Sequence, residues 1–155
     1  MNQSIVIAAA SEEDLEPAPI APSWILSGEP EARNKMMAKS KDGTSYTMVW
    51  ECTPGRFNWH YSEDETVVLL SGEVFISNGK GEERRLGPGD MAFFPAGSSC
   101  TWRITNSVRK VAVLRNALPF PLGLGVQIWN KFLRTIGLMR PAPLMLPFFL
   151  GPLGM

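Results

Sequence analysis

Large apolar and polar side chains alternate with a period of two from residue 45 to residue 115, and glycine- or proline-bearing turns interrupt them every few residues. A strand sends successive side chains to opposite faces, so this period marks half-buried β-strands. Over residues 46–53, Tyr46, Met48 and Trp50 share a face. Over 57–61, Phe57, Trp59 and Tyr61 share one face, and Asn58 and His60 take the other. Residues 65–71 read as a compact apolar strand. Residues 73–78 follow and end in Asn78-Gly79-Lys80-Gly81, whose Asn and Gly tolerate the positive φ of a hairpin turn. Leu86-Gly87-Pro88-Gly89-Asp90 is a second turn, and residues 91–94, 100–105 and 109–115 complete at least seven short strands. No sizeable helical pattern separates them. That excludes a parallel sheet with crossover helices and predicts an all-β antiparallel sandwich or barrel.

The chain has 155 residues, enough for one ordinary domain with its own core. Lys plus Arg equal Asp plus Glu at 15 each, which removes a global electrostatic case for nucleic acid. All 15 acids lie in residues 1–90 with 8 bases, whereas residues 91–155 hold 7 bases and no acid. Two Cys exclude a disulfide scaffold and fit a reducing compartment, and with a single His they cannot form a four-ligand structural zinc site. Residues 1–10 are apolar but short, lack a basic start and precede the acidic SEEDLEP, which is the wrong pattern for a signal peptide. These features predict a cytoplasmic protein. Residues 1–22, proline-rich and acidic without a period, read as a flexible tail. Residues 23–44 read as a mixed lead-in to the strands.

Two ordered motifs carry a resemblance. Glu65, six residues and Gly72 resemble the end of the first cupin motif. Gly89-Asp90-Met91-Ala92-Phe93-Phe94-Pro95-Ala96-Gly97 resembles the second. With Trp50-Glu51-Cys52-Thr53-Pro54-Gly55, Asp64-Glu65-Thr66 and Trp102, the pattern is similar to the ureidoglycine aminohydrolase-like and ethanolamine-utilisation-protein-Q-like small cupins. The resemblance covers roughly residues 23–115. It implies a cupin jelly-roll barrel, commonly a homodimer, with a small molecule in the barrel. For an enzyme it implies metal-dependent hydrolysis or similar work on a small nitrogenous metabolite. Metal-bearing cupins take two His and a Glu from the first motif and a His from the second, whereas this chain has one His. Counted back from Glu65, the His-x-His pair falls on Trp59 and Tyr61 or on Asn58 and His60, and the last His falls on Cys100.

Parity separates these options, because a one-residue slip exchanges the two faces of a strand. The more apolar set, Phe57, Trp59 and Tyr61, is placed inside, which turns His60 outward and leaves no metal site. In the other register His60, Glu65 and Cys100, with Asn58, gather as ligands for a divalent transition metal. Glu65 shares its face with Val67 and Leu69, where a carboxylate must find a partner or raise its pKa. It is either hydrogen-bonded to backbone or Tyr61, or a general acid/base in the cavity. Trp50, Trp59, Tyr61, Cys100 and Trp102 are the candidate ligand-binding residues. Their aromatic wall suits a small planar or amine-bearing ligand, and core packing is the alternative reading. Cys100 is either a small core residue or a thiol at the cavity mouth.

Residues 116–155 change character, with six prolines, five glycines, three bases and no acid. Leu122, Val126, Trp129, Phe132, Leu133 and Ile136 share one helical side, and Gln127, Asn130, Lys131 and Arg134 share the other. Gly123, Gly125 and Gly137 confine the predicted amphipathic helix to about 125–136, and residues 139–155 form an apolar tail broken by proline. The apolar side is expected to pack on the barrel or across a dimer interface. Contact with a membrane surface is the second reading. The function expected is a small-molecule-binding cupin, and the alternative is a non-catalytic sensing or scaffold cupin whose C-terminal helix docks to a partner or membrane.

Overall fold

Nine antiparallel strands lie between residues 16 and 115 of the computed structural model, which describes residues 4–138. They are β1 (Glu16–Pro17), β2 (Ile25–Ser27), β3 (Ala32–Lys39), β4 (Ser45–Cys52), β5 (Gly55–His60), β6 (Asp64–Ser77), β7 (Glu83–Leu86), β8 (Met91–Phe94) and β9 (Ser99–Arg115). Hydrogen bonding runs β1-β3-β4-β9-β5-β2, and β6 joins β9, β8 and β7. The 17-residue β9 is the shared rail. Its C-terminal half pairs with β4 and with the start of β6. Its N-terminal half pairs with β5 and with the end of β6. With both edges of β9 occupied, the sheet curls into a half-barrel of the cupin jelly-roll type.

The concave side is the core. Trp50, Cys52, Phe57, Val67, Leu69, Val74, Phe94, Trp102, Ile104 and Ala112 are buried there, each at the inward parity of its strand. His60 is exposed on the opposite face of β5 from Phe57 and Trp59, so the apolar set is the inward one.

Several sequence expectations need correction. Residues 65–71 and 73–78 are one strand, β6, and residues 100–105 and 109–115 are one strand, β9. The lead-in contains β2 and the eight-residue β3, whose register shift between Met36 and Ala38 breaks its period. The segment read as a tail over 1–22 is tied down from Ala10 onward. Leu15 and Ile20 are buried, β1 pairs with β3, and the Arg109 guanidinium donates to the carbonyls of Ala10 and Glu13.

Among the described residues, those from Leu118 onward form a second unit. Within it α1 runs Phe120–Thr135, five residues earlier than the glycines suggested. Pro121 in the first turn is compatible with a helix start, because its missing N–H has no intrahelical acceptor there. Gly137, at φ 74, follows the last turn as a left-handed terminator. The apolar tail read over 139–155 lies outside the described residues.

Candidate functional site

A cavity of about 350 Å³ opens on the concave side of the half-barrel. Trp50, Met48 and Tyr46 of β4, Trp59 of β5, and Tyr61, Glu63 and Glu65 around the start of β6 line it. Asn34 of β3, Lys110 and Leu114 of β9, and Ala18, Pro19 and Ser62 complete the wall.

Its floor is an ion pair. Lys110 Nζ donates to Glu65 Oε1 at 2.6 Å, and both residues are buried, at 4 % and 5 % exposure. The same ammonium sits 4.8 Å from the Trp50 ring and 4.6 Å from the Trp102 ring, a cation–π position between two indoles. Strand register explains the meeting. Glu65 is opposite Leu114 and Lys110 is opposite Leu69, so all four share the inward face, and the long lysine stem spans the gap along β9. The buried carboxylate thus has a charged partner, and it is Lys110 rather than the backbone or Tyr61.

Tyr61 organises the layer beneath. Trp102 Nε1 donates to its hydroxyl at 3.0 Å, and that hydroxyl lies 3.7 Å from Cys100 Sγ. The Tyr61 ring stacks on Phe94 with centroids 4.5 Å apart. The second motif supplies the anchor. Gly97 N–H donates to the Tyr61 carbonyl, Tyr61 N–H donates to the Ser98 carbonyl, and Ala96 N–H donates to Asp64 Oδ1. The Pro95-Ala96-Gly97 turn therefore fixes the chain on either side of the cavity rim.

Desolvation pushes the Tyr61 hydroxyl well above its usual range, and the neighbouring Cys100 and Glu65 add to the shift. Burial also raises the Cys100 thiol and pushes Cys52 up to about 12. Both cysteines are free thiols, and burial favours their protonated form. At the rim, Tyr46 donates to Glu63, and burial together with that carboxylate raises the Tyr46 pKa.

The structure brings Trp50, Trp59, Tyr61 and Glu65 to the cavity wall. Trp102 and Cys100 lie behind it, so they support the site without lining it. The alternative metal set does not assemble. His60 faces outward with Nδ1 2.8 Å from Ser99 Oγ and its ring against Trp24, and Asn58 accepts from Thr101. Glu65 already holds an ammonium, which would repel a divalent cation. Among the described residues no cluster of three His, Cys, Asp or Glu is placed to hold a metal, so these side chains do not fit a transition-metal centre.

Sequence reasoning missed Lys110, Tyr46 and Glu63. On β9 the set Val111 and Val113 looks more like core than Lys110 and Ala112, yet Val113 is 43 % exposed and Ala112 is fully buried. The usable signal was a partner argument. A carboxylate placed inside demands a cation, and Lys110 is the β9 base at inward parity.

Comparison with known proteins places this geometry. The sequence profile of the EutQ-like cupin domain matches residues 39–112. A crystal structure of a protein of unknown function in the DUF861 family, from Pseudomonas syringae pv. tomato, superposes with a TM-score of 0.61 at 28 % identity. The match covers 66 % of this chain and 45 % of that one, so this chain spans less than half of that protein's length. A putative ethanolamine utilisation protein Q from Salmonella typhimurium superposes at 0.50 with 26 % identity, covering 57 % of this chain and 72 % of that one. The EutQ protein of Clostridium difficile shares the fold at 0.52 with 18 % identity, over 64 % and 82 % of the two chains. No match was found among curated proteins.

Proposed function

Because this chain belongs to the EutQ-like small cupins, we propose that its half-barrel cavity binds a small polar metabolite without a transition metal. The single observation that carries this reading is the buried Lys110–Glu65 pair on the floor of a 350 Å³ cavity. A donor and an acceptor sit side by side there, 2.6 Å apart. They complement a ligand group that presents an acceptor and a donor on neighbouring atoms, as a carboxamide or a protonated acid does. Trp50 and Trp59 supply flat apolar walls for the rest of the ligand. Asn34 and the Tyr46–Glu63 pair supply polar contacts nearer the mouth. If chemistry follows binding, Glu65 and Lys110 are the groups able to accept and return a proton at the ligand. The non-catalytic reading draws on the same pair, since a carboxylate neutralised by an ammonium is a poor free base.

Thermal shift against a panel of small carboxamides and carboxylic acids tests the proposal, alongside native mass spectrometry for a ligand that co-purifies. The melting temperature is expected to rise with amide-bearing compounds, and the rise is expected to vanish in Glu65→Gln and shrink in Glu63→Gln. Failure of every compound to stabilise the protein, with no co-purifying mass, would overturn the binding reading. Elemental analysis is expected to find far less than one transition-metal atom per chain. A stoichiometric ion would overturn the metal-free part alone.

A further inference from the structure

The C-terminal unit carries a surface that the cavity does not use. None of the 16 residues of α1 is buried. Phe120, Leu122, Ile128, Trp129 and Phe132 each keep more than half of their surface exposed. At the α-helical repeat, the side chains from Ile128 through Phe132, Ile136, Trp129, Leu122 and Leu133 to Val126 span an uninterrupted arc of roughly 160°, with Thr135 at its edge. Gln127, Asn130, Lys131 and Arg134 lie on a stripe of roughly 100° on the other side, which Phe120 of the first turn shares. A helix on the surface of a globular core needs an apolar stripe of about 100°. This one is about half as wide again, which suits a helix lying in an apolar surface with its polar stripe left in water.

Two further features select the medium. The water-facing stripe of α1 carries two bases, Lys131 and Arg134, and the sequence from residue 118 to 155 has no acid, so the stripe complements an anionic surface. Beyond Arg140, residues 141–155 consist of Pro, Ala, Leu, Met, Phe and Gly only, without one hydrogen-bonding side chain. A protein groove that accepted both pieces would have to be apolar on several sides at once, whereas a lipid surface accepts them without a shaped site. Among the described residues no helix is long and apolar enough to cross a membrane.

We infer that α1 anchors this cupin to an anionic lipid surface. α1 lies in the headgroup region with Trp129 and Phe132 below it and Lys131 and Arg134 toward the phosphates. The apolar contribution dominates, because two bases alone hold a chain only weakly.

Flotation of the full chain with vesicles tests this, using phosphatidylcholine alone and phosphatidylcholine mixed with phosphatidylserine. The chain is expected to float with both and more completely with the mixed vesicles. Trp129→Ser combined with Phe132→Ser is expected to lower partitioning at least about tenfold on both vesicle types. Lys131→Gln and Arg134→Gln are expected to lower it about fivefold per charge on the mixed vesicles only. Circular dichroism and the melting temperature of each variant separate lost anchoring from lost folding. A full chain that stays out of the vesicle fraction would overturn the inference. So would a double serine variant that still floats, or one that instead breaks up an oligomer in sedimentation, which would assign the face to a second copy of the chain.

Discussion

Glu65 and Lys110 each lie almost wholly out of water, and neither could remain there charged without the other. Removing one member of such a pair strands the partner, at a typical cost of about 3–5 kcal/mol, whereas replacing both by apolar groups of similar size is often neutral. Urea titrations should therefore find Glu65→Leu and Lys110→Met each destabilising by about that amount, and the double variant much closer to wild type. Additive losses would show that the pair does not interact as one unit. Tyr61→Phe should cost about 1–3 kcal/mol, because it leaves the buried Trp102 Nε1 without an acceptor. Alkaline pH probes the same layer. Burial raises the Cys52 thiol from 9.0 to about 12, so between those values the unfolded chain has released a proton that the folded chain keeps. That contribution to stability is complete below pH 9 and is lost as pH rises toward 12, with the raised Cys100 and Tyr61 acting in the same direction. Denaturation under reductant should show stability falling above pH 9, with a shallower fall in Cys52→Ala.

The first motif ends at Gly72 for a reason visible only once β6 meets β9. Gly72 has φ 80, and a Cβ built there would lie 2.1 Å from the Ser107 carbonyl oxygen and 2.8 Å from Val108 Cα. Both neighbours are backbone of the paired strand, so neither can swing aside. The β6–β9 register shifts around this residue, which lets one 14-residue strand follow the curl of the half-barrel. Gly72→Ala should therefore be among the most damaging single-methyl additions in the chain, leaving a strongly lowered melting temperature or no soluble protein. A melting temperature near wild type would show that the β6–β9 contact is looser than drawn. The same residue shows what could be read from sequence. Alternation located the strands, and the inward faces of β4 and β5 followed from Trp50, Phe57 and Trp59. A glycine inside a strand pattern signals either an end or a bulge, and local sequence does not distinguish them, so one strand read as two. Glu65 was recognisable as an inward carboxylate. Lys110 was not, because its partner lies 45 residues away and only strand register brings the two together. β3 was hidden because its inward positions include the small Ala32 and the polar Asn34, and its register shifts between Met36 and Ala38, which breaks the period.

Across the whole molecule, the charge asymmetry of the sequence resolves into pairing along one strand. β9 carries Arg103, Arg109, Lys110 and Arg115. They meet Glu83, Glu51, Glu65 and Asp64, acids that all come from the first 90 residues. The fold thus consumes four of the seven C-terminal bases, and the other three, Lys131, Arg134 and Arg140, all lie in the second unit. Among the described residues, the buried core is drawn entirely from residues 15–112. A chain ending at Ala117 loses three bases and no acid, which takes its formal charge from zero to −3. It should keep its melting temperature to within a few degrees, since none of the described residues it removes is buried. It should also bind the same carboxamides as the full chain, because every cavity-lining residue lies between Ala18 and Leu114, yet no longer float with vesicles. A large fall in melting temperature on truncation would instead mean that the apolar face of α1 is covered by the half-barrel, and the membrane reading would fall while the cavity reading stood.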